Sequence, residues 1–121
     1  MTAVPPGWPR EVPPPGTDGW ERRATGWLFD LCPADLRAHD VLQRHPRALA
    51  FVAARQLDAL ADAVRSSIAT ARAELRDAVP PPAVSEVVAA LQLEQARLES
   101  ARRGLALVSE ALAGARFRER L

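Results

Sequence analysis

The side chains of this chain that could bind a soft metal or act as a nucleophile are Cys32, His39 and His45, spaced Cys-x6-His-x5-His. A closed zinc site takes four ligands, and no paired Cys-x-x-Cys accompanies these three. A Cys–His nucleophile pair needs a base in reach and donors for the developing oxyanion, and no local signature of either is present. The six glycines are isolated, so there is no Gly-rich phosphate loop, serine elbow or Walker-type run. The expectation is a non-enzymatic chain with no catalytic residues, metal or cofactor, with Cys32 buried and the histidines at the surface.

Asp58 and Asp62 stand one helical turn apart, a spacing that puts both carboxylates on one face and that a divalent metal or an acid–base pair could use. No second acidic pair faces them, although Glu94 is available. Arg55 and Arg65, three residues before Asp58 and three after Asp62, are the expected ion-pair partners on a solvated face.

The most basic stretches are Arg102-Arg103 and Arg116-Phe117-Arg118-Glu119-Arg120. Arginine forks beside an aromatic ring can grip phosphates and stack on bases, so Arg102, Arg103, Arg116, Arg118 and Arg120 are the residues of a nucleic-acid or ribosomal reading. Against it, Glu99 is placed to neutralise Arg102 and Arg103, and a helix C-terminus favours cations anyway.

The charge balance agrees with that restraint. All 16 basic residues are arginine, set against 15 acidic ones, and Lys, Asn and Tyr are absent. The basic and acidic residues stand 5 against 6 in residues 1–45, 5 against 4 in 46–79 and 6 against 5 in 80–121, so no segment carries a strong field. The charge-free runs are too short to span a membrane, and residues 1–25 lack a basic start followed by an apolar core. With one cysteine unable to pair internally, the expected compartment is the cytoplasm.

The elements that must carry these side chains are organised around Pro80-Pro81-Pro82. Three prolines remove three backbone donors and exclude the α conformation before each ring, so one helix should stop near Val79 and another restart at the last proline. Upstream, apolar residues recur at 49, 53, 57, 60, 64, 68, 71, 75 and 79, an eleven-residue repeat. Downstream the row is Val84, Val87, Leu91, Glu94, Leu98, Ala101, Leu105, Val108, Leu112 and Ala115, a seven-residue repeat. The pattern predicts an all-α fold: a long antiparallel αα-hairpin with helices at about 47–79 and 82–118. Gly104 and Gly114 lie beside the second row, where they either permit close approach or weaken the helix.

Ahead of the hairpin, Trp20, Ala24, Trp27, Leu28 and Leu31 define one face of a short helix at about 18–31, capped by Thr17 or Asp18. A connector at 33–46 should turn Leu36, Val41 and Leu42 inward. Residues 1–16 hold six prolines around Trp8 and form an extended Pro-rich arm, so residues 17–121 are the helical domain. Leu57, Leu60, Val64, Leu98, Leu105 and Val108 are the expected packing residues.

A two-helix hairpin is too thin to bury both rows, so a third layer is needed, from the tryptophan helix, from a second copy of the chain, or from both. Phe51, Val88, Leu93, Leu107 and Phe117 fall beside the rows, where they would lie exposed without a partner. The expectation is a helical protein–protein interaction module, such as an adaptor or scaffold. Its partner is a protein or a second copy in a homodimer, contacted through Trp8, Trp27, Phe51, Leu93, Leu107 and Phe117.

The runs Gly26-Trp-Leu-Phe-Asp-Leu-Cys-Pro33, Val41-Leu-Gln-Arg-His-Pro46 and Ala71-Arg-Ala-Glu-Leu-Arg-Asp77 resemble small helical proteins of high-GC actinobacteria, over roughly Trp8 to Leu121. The resemblance implies a source and an all-helical fold, and no activity. Secreted helical hairpins of similar size carry Trp-x-Gly at the turn, where this chain has three prolines.

Overall fold

A computed structural model describes residues 4–117. The chain folds as α1 (Trp20–Asp30), a 3-10 turn (Ala34–Ala38), α2 (Asp40–Arg44), α3 (Pro46–Leu75) and α4 (Pro81–Leu112), with no strand among the described residues. The last two helices pack against each other along their length as the hairpin.

The second helix starts at Pro81, one residue before the expected last proline, Pro82. Pro80 is extended (φ −61°, ψ 151°) and forms the N-cap, while Pro81 and Pro82 fill the first two helical positions, where missing N–H donors cost nothing. The Pro80 carbonyl accepts from the N–H groups of Ala83 and Val84 at 2.9 and 3.2 Å. α3 ends at Leu75, four residues short of the expected Val79, and residues 76–79 form the turn; proline disfavours α geometry only in the residue before it, here Val79.

At the other end α4 stops at Leu112, short of the expected 118. Gly114 takes φ +101°, and the Ala115 N–H reaches back to the Glu110 carbonyl at 2.9 Å, the long bond of a Schellman motif. Gly114 is therefore a helix terminator. Gly104 serves the other purpose: a Cβ there would lie 3.4 Å from Pro9 Cδ, 3.4 Å from Trp27 Cη2 and 3.5 Å from the Gly7 carbonyl. The missing side chain is the seat on which the arm and Trp27 approach α4.

The core sits in the half of the hairpin remote from the proline turn. Here α1 lies over both long helices, and Leu28, Phe29, Leu42, Leu49, Ala50, Ala53, Leu57, Leu98 and Leu105 form one buried cluster. Val12, Ala24 and Val108 form a second, flanked by Trp8, Trp20, Trp27 and Leu112. The arm reaches this cluster through three turns, in which the N–H groups of Trp8, Val12 and Thr17 donate to the carbonyls of Pro5, Pro9 and Pro14. Toward the proline turn the hairpin continues as a bare two-helix stalk. The buried side chains of its helices are small: Ala61 and Ala71 on α3, Val84 and Val88 on α4.

Several expected inward positions are corrected by this layering. Val88 is buried at 7% exposure while Val87, its expected core neighbour, is 36% exposed; Ala61 is buried while Leu60 is 44% exposed. In the stalk each helix meets only its partner, so the buried arc is narrow and centred on the facing residues. Phe29, outside the expected stripe of α1, is among the largest fully buried side chains, because the connector closes over it with Leu42. Val41 turns outward at 50% exposure. Neither Thr17 nor Asp18 caps α1; Gly19 occupies the N-cap and no side chain bonds to it.

Candidate interaction surface

The chemically capable side chains separate rather than converge. Cys32 follows α1, half-buried against the main core, and burial pushes its thiol above the ordinary range while the Arg37 guanidinium opposes that in part. His39 and His45 are exposed and work through their backbones: the carbonyl of His39 accepts from Leu42, and that of His45 accepts from Ala48 and Leu49 at the start of α3. Among the described residues no group of three or more His, Cys, Asp or Glu side chains could hold a metal ion.

The acidic pair is likewise divided between two cations. Asp62 bonds Arg65 at 2.9 Å, as its spacing suggests, but Asp58 crosses the hairpin to Arg102 at 3.0 Å, and Arg102 also holds Glu99 at 3.1 Å. Arg55, expected near Asp58, instead lies over the Phe51 ring at 5.1 Å. Glu94 is bonded by Arg97, Nε to Oε2 at 2.9 Å with a second contact beside it, and this bonding holds its carboxyl below the usual range.

Of the arginines proposed for nucleic acid, Arg102 is engaged with two carboxylates, Arg103 and Arg116 are exposed, and Arg118 and Arg120 lie outside the described residues.

The six apolar contact residues fall into two sets. Trp8, Trp27, Leu107 and Phe117 are half-buried and knit the arm to its own helices. The Trp8 indole N–H donates to the Val12 carbonyl at 2.8 Å, and its ring meets Phe117 edge-on at 5.8 Å. Leu107 lies beneath Gly7. Between arm and α4 runs an open groove of about 570 Å³, lined by Trp8, Pro9, Arg10, Trp27, Leu31 and Arg97 among others. Phe51 and Leu93 form the second set, 61% and 75% exposed. Phe51 borders a shallower groove of about 250 Å³ with Arg47, Ala50, Ala54, Ser109 and Ala113.

Two members of the exposed surface were missed because they read as core: Leu60 and Val87. Helix geometry relates them to covered positions. Eleven residues return a helix to within about 20° and eighteen residues complete about five turns. Leu60 therefore shares a side with Leu49, which is fully buried, and Val87 shares one with Leu98 and Leu105, at 1% and 3% exposure. Leu93 shares a side with Gly104, which is buried beneath Pro9 and Trp27. All three exposed residues extend, into the stalk, the sides that α1 and the arm cover at the base. The stalk ion pairs Asp58–Arg102 and Asp62–Arg65 branch from other sides of the helices.

No helix among the described residues is long and apolar enough to cross a membrane. Comparison with protein-family models, with curated proteins and with solved structures returned no match.

Proposed function

We propose that this chain is a non-enzymatic helical interaction module of the cytoplasm, an adaptor or accessory subunit whose stalk docks a protein partner on its α1 side. One observation carries the reading: Leu60, Val87 and Leu93 are exposed at positions whose counterparts at the base are covered. A helical hairpin buries an apolar side against another layer, and along the stalk the described residues do not provide that layer. The arm is the second element of the module. Trp8 and Trp27 hold it against the base, where it covers the side of α4 on which Leu93 stands exposed farther along.

The test is affinity capture from source cells with the whole chain as bait. Leu60→Glu and Leu93→Glu should each remove a partner that the unaltered chain retains, while Phe51→Glu, on another side of α3, should retain it. Equal recovery with all three baits rejects the stalk as the docking surface. A nucleic-acid role would instead give salt-sensitive binding that is lost when Arg116, Arg118 and Arg120 are changed to alanine.

A further inference from the structure

The arm is built as a bound peptide is built. Its backbone bonds close within itself: the N–H groups of Trp8, Val12 and Thr17 donate to the carbonyls of Pro5, Pro9 and Pro14, and the Trp8 indole donates to that of Val12. Among the described residues one hydrogen bond joins it to the helices, from the Arg23 guanidinium to the Glu11 carbonyl at 3.5 Å, beyond the usual range for such a bond. Its six prolines fix much of the backbone in advance, so little conformational freedom is lost when it lies on a surface.

The surface beneath it is apolar and shaped to that segment. Pro9 and Trp27 meet over Gly104, each 3.4 Å from where a Cβ would stand, with the Gly7 carbonyl at 3.5 Å. Val12 is buried with Ala24 of α1 and Val108 of α4. A tryptophan beside a backbone bared by glycine is a seat for a proline ring, the chemistry by which aromatic-lined grooves hold proline-rich segments.

The same contacts leave the arm free to come away. The groove of about 570 Å³ runs between the arm and α4, so one flank of the arm is open to water. The arm joins α1 through residues 16–19, all exposed, where Gly16 and Gly19 take φ 88° and 76° with nothing within 4 Å of a Cβ position. Among the described residues, lifting it at this joint breaks no backbone–backbone hydrogen bond to the helices and opens the seat at Trp27 and Gly104.

We propose that the face of α1 and α4 beneath the arm is a peptide-binding site for a proline-rich segment carrying a tryptophan. The arm is its resident occupant, a strap that shuts the site until a partner protein's segment of the same chemistry displaces it. The site is separate from the stalk and stands whether or not the stalk docks a partner. Because the arm is tethered beside its seat, at an effective concentration on the order of millimolar, a free segment binds only the chains whose arm is lifted, and its apparent affinity falls by that fraction.

The experiment measures the anisotropy of a fluorescent synthetic peptide of residues 4–16 with full chains whose helicity is checked first. Trp8→Ala weakens the resident arm and leaves the seat intact, so this chain should bind the peptide at least about ten-fold more tightly than the unaltered chain. Val12→Ser loosens the arm at its other anchor and should give a gain in the same direction; where one variant fails to fold, the other decides. Adding Gly104→Leu to either should abolish the gain, and a peptide carrying Trp8→Ala should show none. Equal affinity of altered and unaltered chains, no binding to any of them, or a gain that survives Gly104→Leu overturns the site. A dimer of the unaltered chain that Trp8→Ala dissolves, read by sedimentation equilibrium, gives the seat to the arm of a second copy and overturns the strap.

Discussion

Leu49 and Leu60 lie on the same side of α3, three turns apart, yet Leu49 is fully buried in the cluster with Leu28, Phe29 and Leu42 and Leu60 is 44% exposed. The same residue type on the same face thus performs two tasks: one holds the base together and the other remains open.

Stability measurements should separate these tasks. Leu49→Ala removes a side chain packed on all sides and should cost about 3 kcal/mol in denaturant unfolding of the monomer. Leu60→Ala, in a side chain still wet on one flank, should cost less than about 1 kcal/mol. Similar losses at both positions would show that the stalk is covered in solution.

The seat at Gly104 decides whether the arm docks. Alanine gains helix propensity of about 1 kcal/mol over glycine, and its Cβ would make tight but ordinary contact with Pro9 and Trp27, so Gly104→Ala should change stability by no more than about 1 kcal/mol. Gly104→Leu has no room beneath Trp27 and should lift the arm. Limited proteolysis should then cut within residues 4–16 while α3 and α4 keep their helicity.

Trp8→Ala should release the arm without unfolding the hairpin. It removes the indole bond to Val12, the packing beside Val108 and the edge contact with Phe117, together worth about 2 kcal/mol for a half-buried aromatic. Hydrogen exchange should rise at the N–H groups of Val12 and Thr17, whose bonds close the arm's turns, and stay unchanged in the middle of α3.

Glu94 carries the pH dependence. Its carboxyl is held below its ordinary range by the Arg97 bond, so the folded state binds this proton less tightly than the unfolded chain. Stability from the pair is present above the ordinary carboxylate range and is lost as pH falls through the depressed folded value. Both side chains are exposed, 42% and 59%, so solvent screening keeps the contribution to no more than about 0.5 kcal/mol. An NMR titration of the Glu94 carboxyl should show the lowered midpoint at low salt, returning toward the ordinary value at high salt.

Cys32 should behave as a protected thiol. Burial raises its pKa and limits access, so alkylation at pH 8 should be slower than for a free cysteine and should reach the free rate in denaturant. Arg37 favours the thiolate, and its removal should slow the folded-state reaction further.

Much of the architecture is legible from local chemistry. Consecutive prolines act on their own neighbours, so the hairpin turn and the start of α4 follow from Pro80, Pro81 and Pro82 without reference to the rest of the chain. The spacing of Leu49, Ala53 and Leu57, and of Leu98, Leu105 and Val108, likewise reports helices with one apolar side. The bond between Asp62 and Arg65 follows from a separation of one turn.

Contacts between distant segments decided the rest. Val87 and Val88, Leu60 and Ala61, and Trp27 and Phe29 are equally apolar as sequence, and each was sorted inward or outward by whether another segment lay over it. Asp58 joined Arg102 rather than Arg55 because antiparallel packing brought the guanidinium across the hairpin. Gly104 became a seat because Gly7, Pro9 and Trp27 arrive there from far along the chain. The sequence by itself determined which segments are helical, where they turn and that a hairpin forms, since these depend on residues within a few positions of one another. Only the tertiary structure decided that the covering layer ends partway along the hairpin, because that depends on where α1 and the arm come to rest.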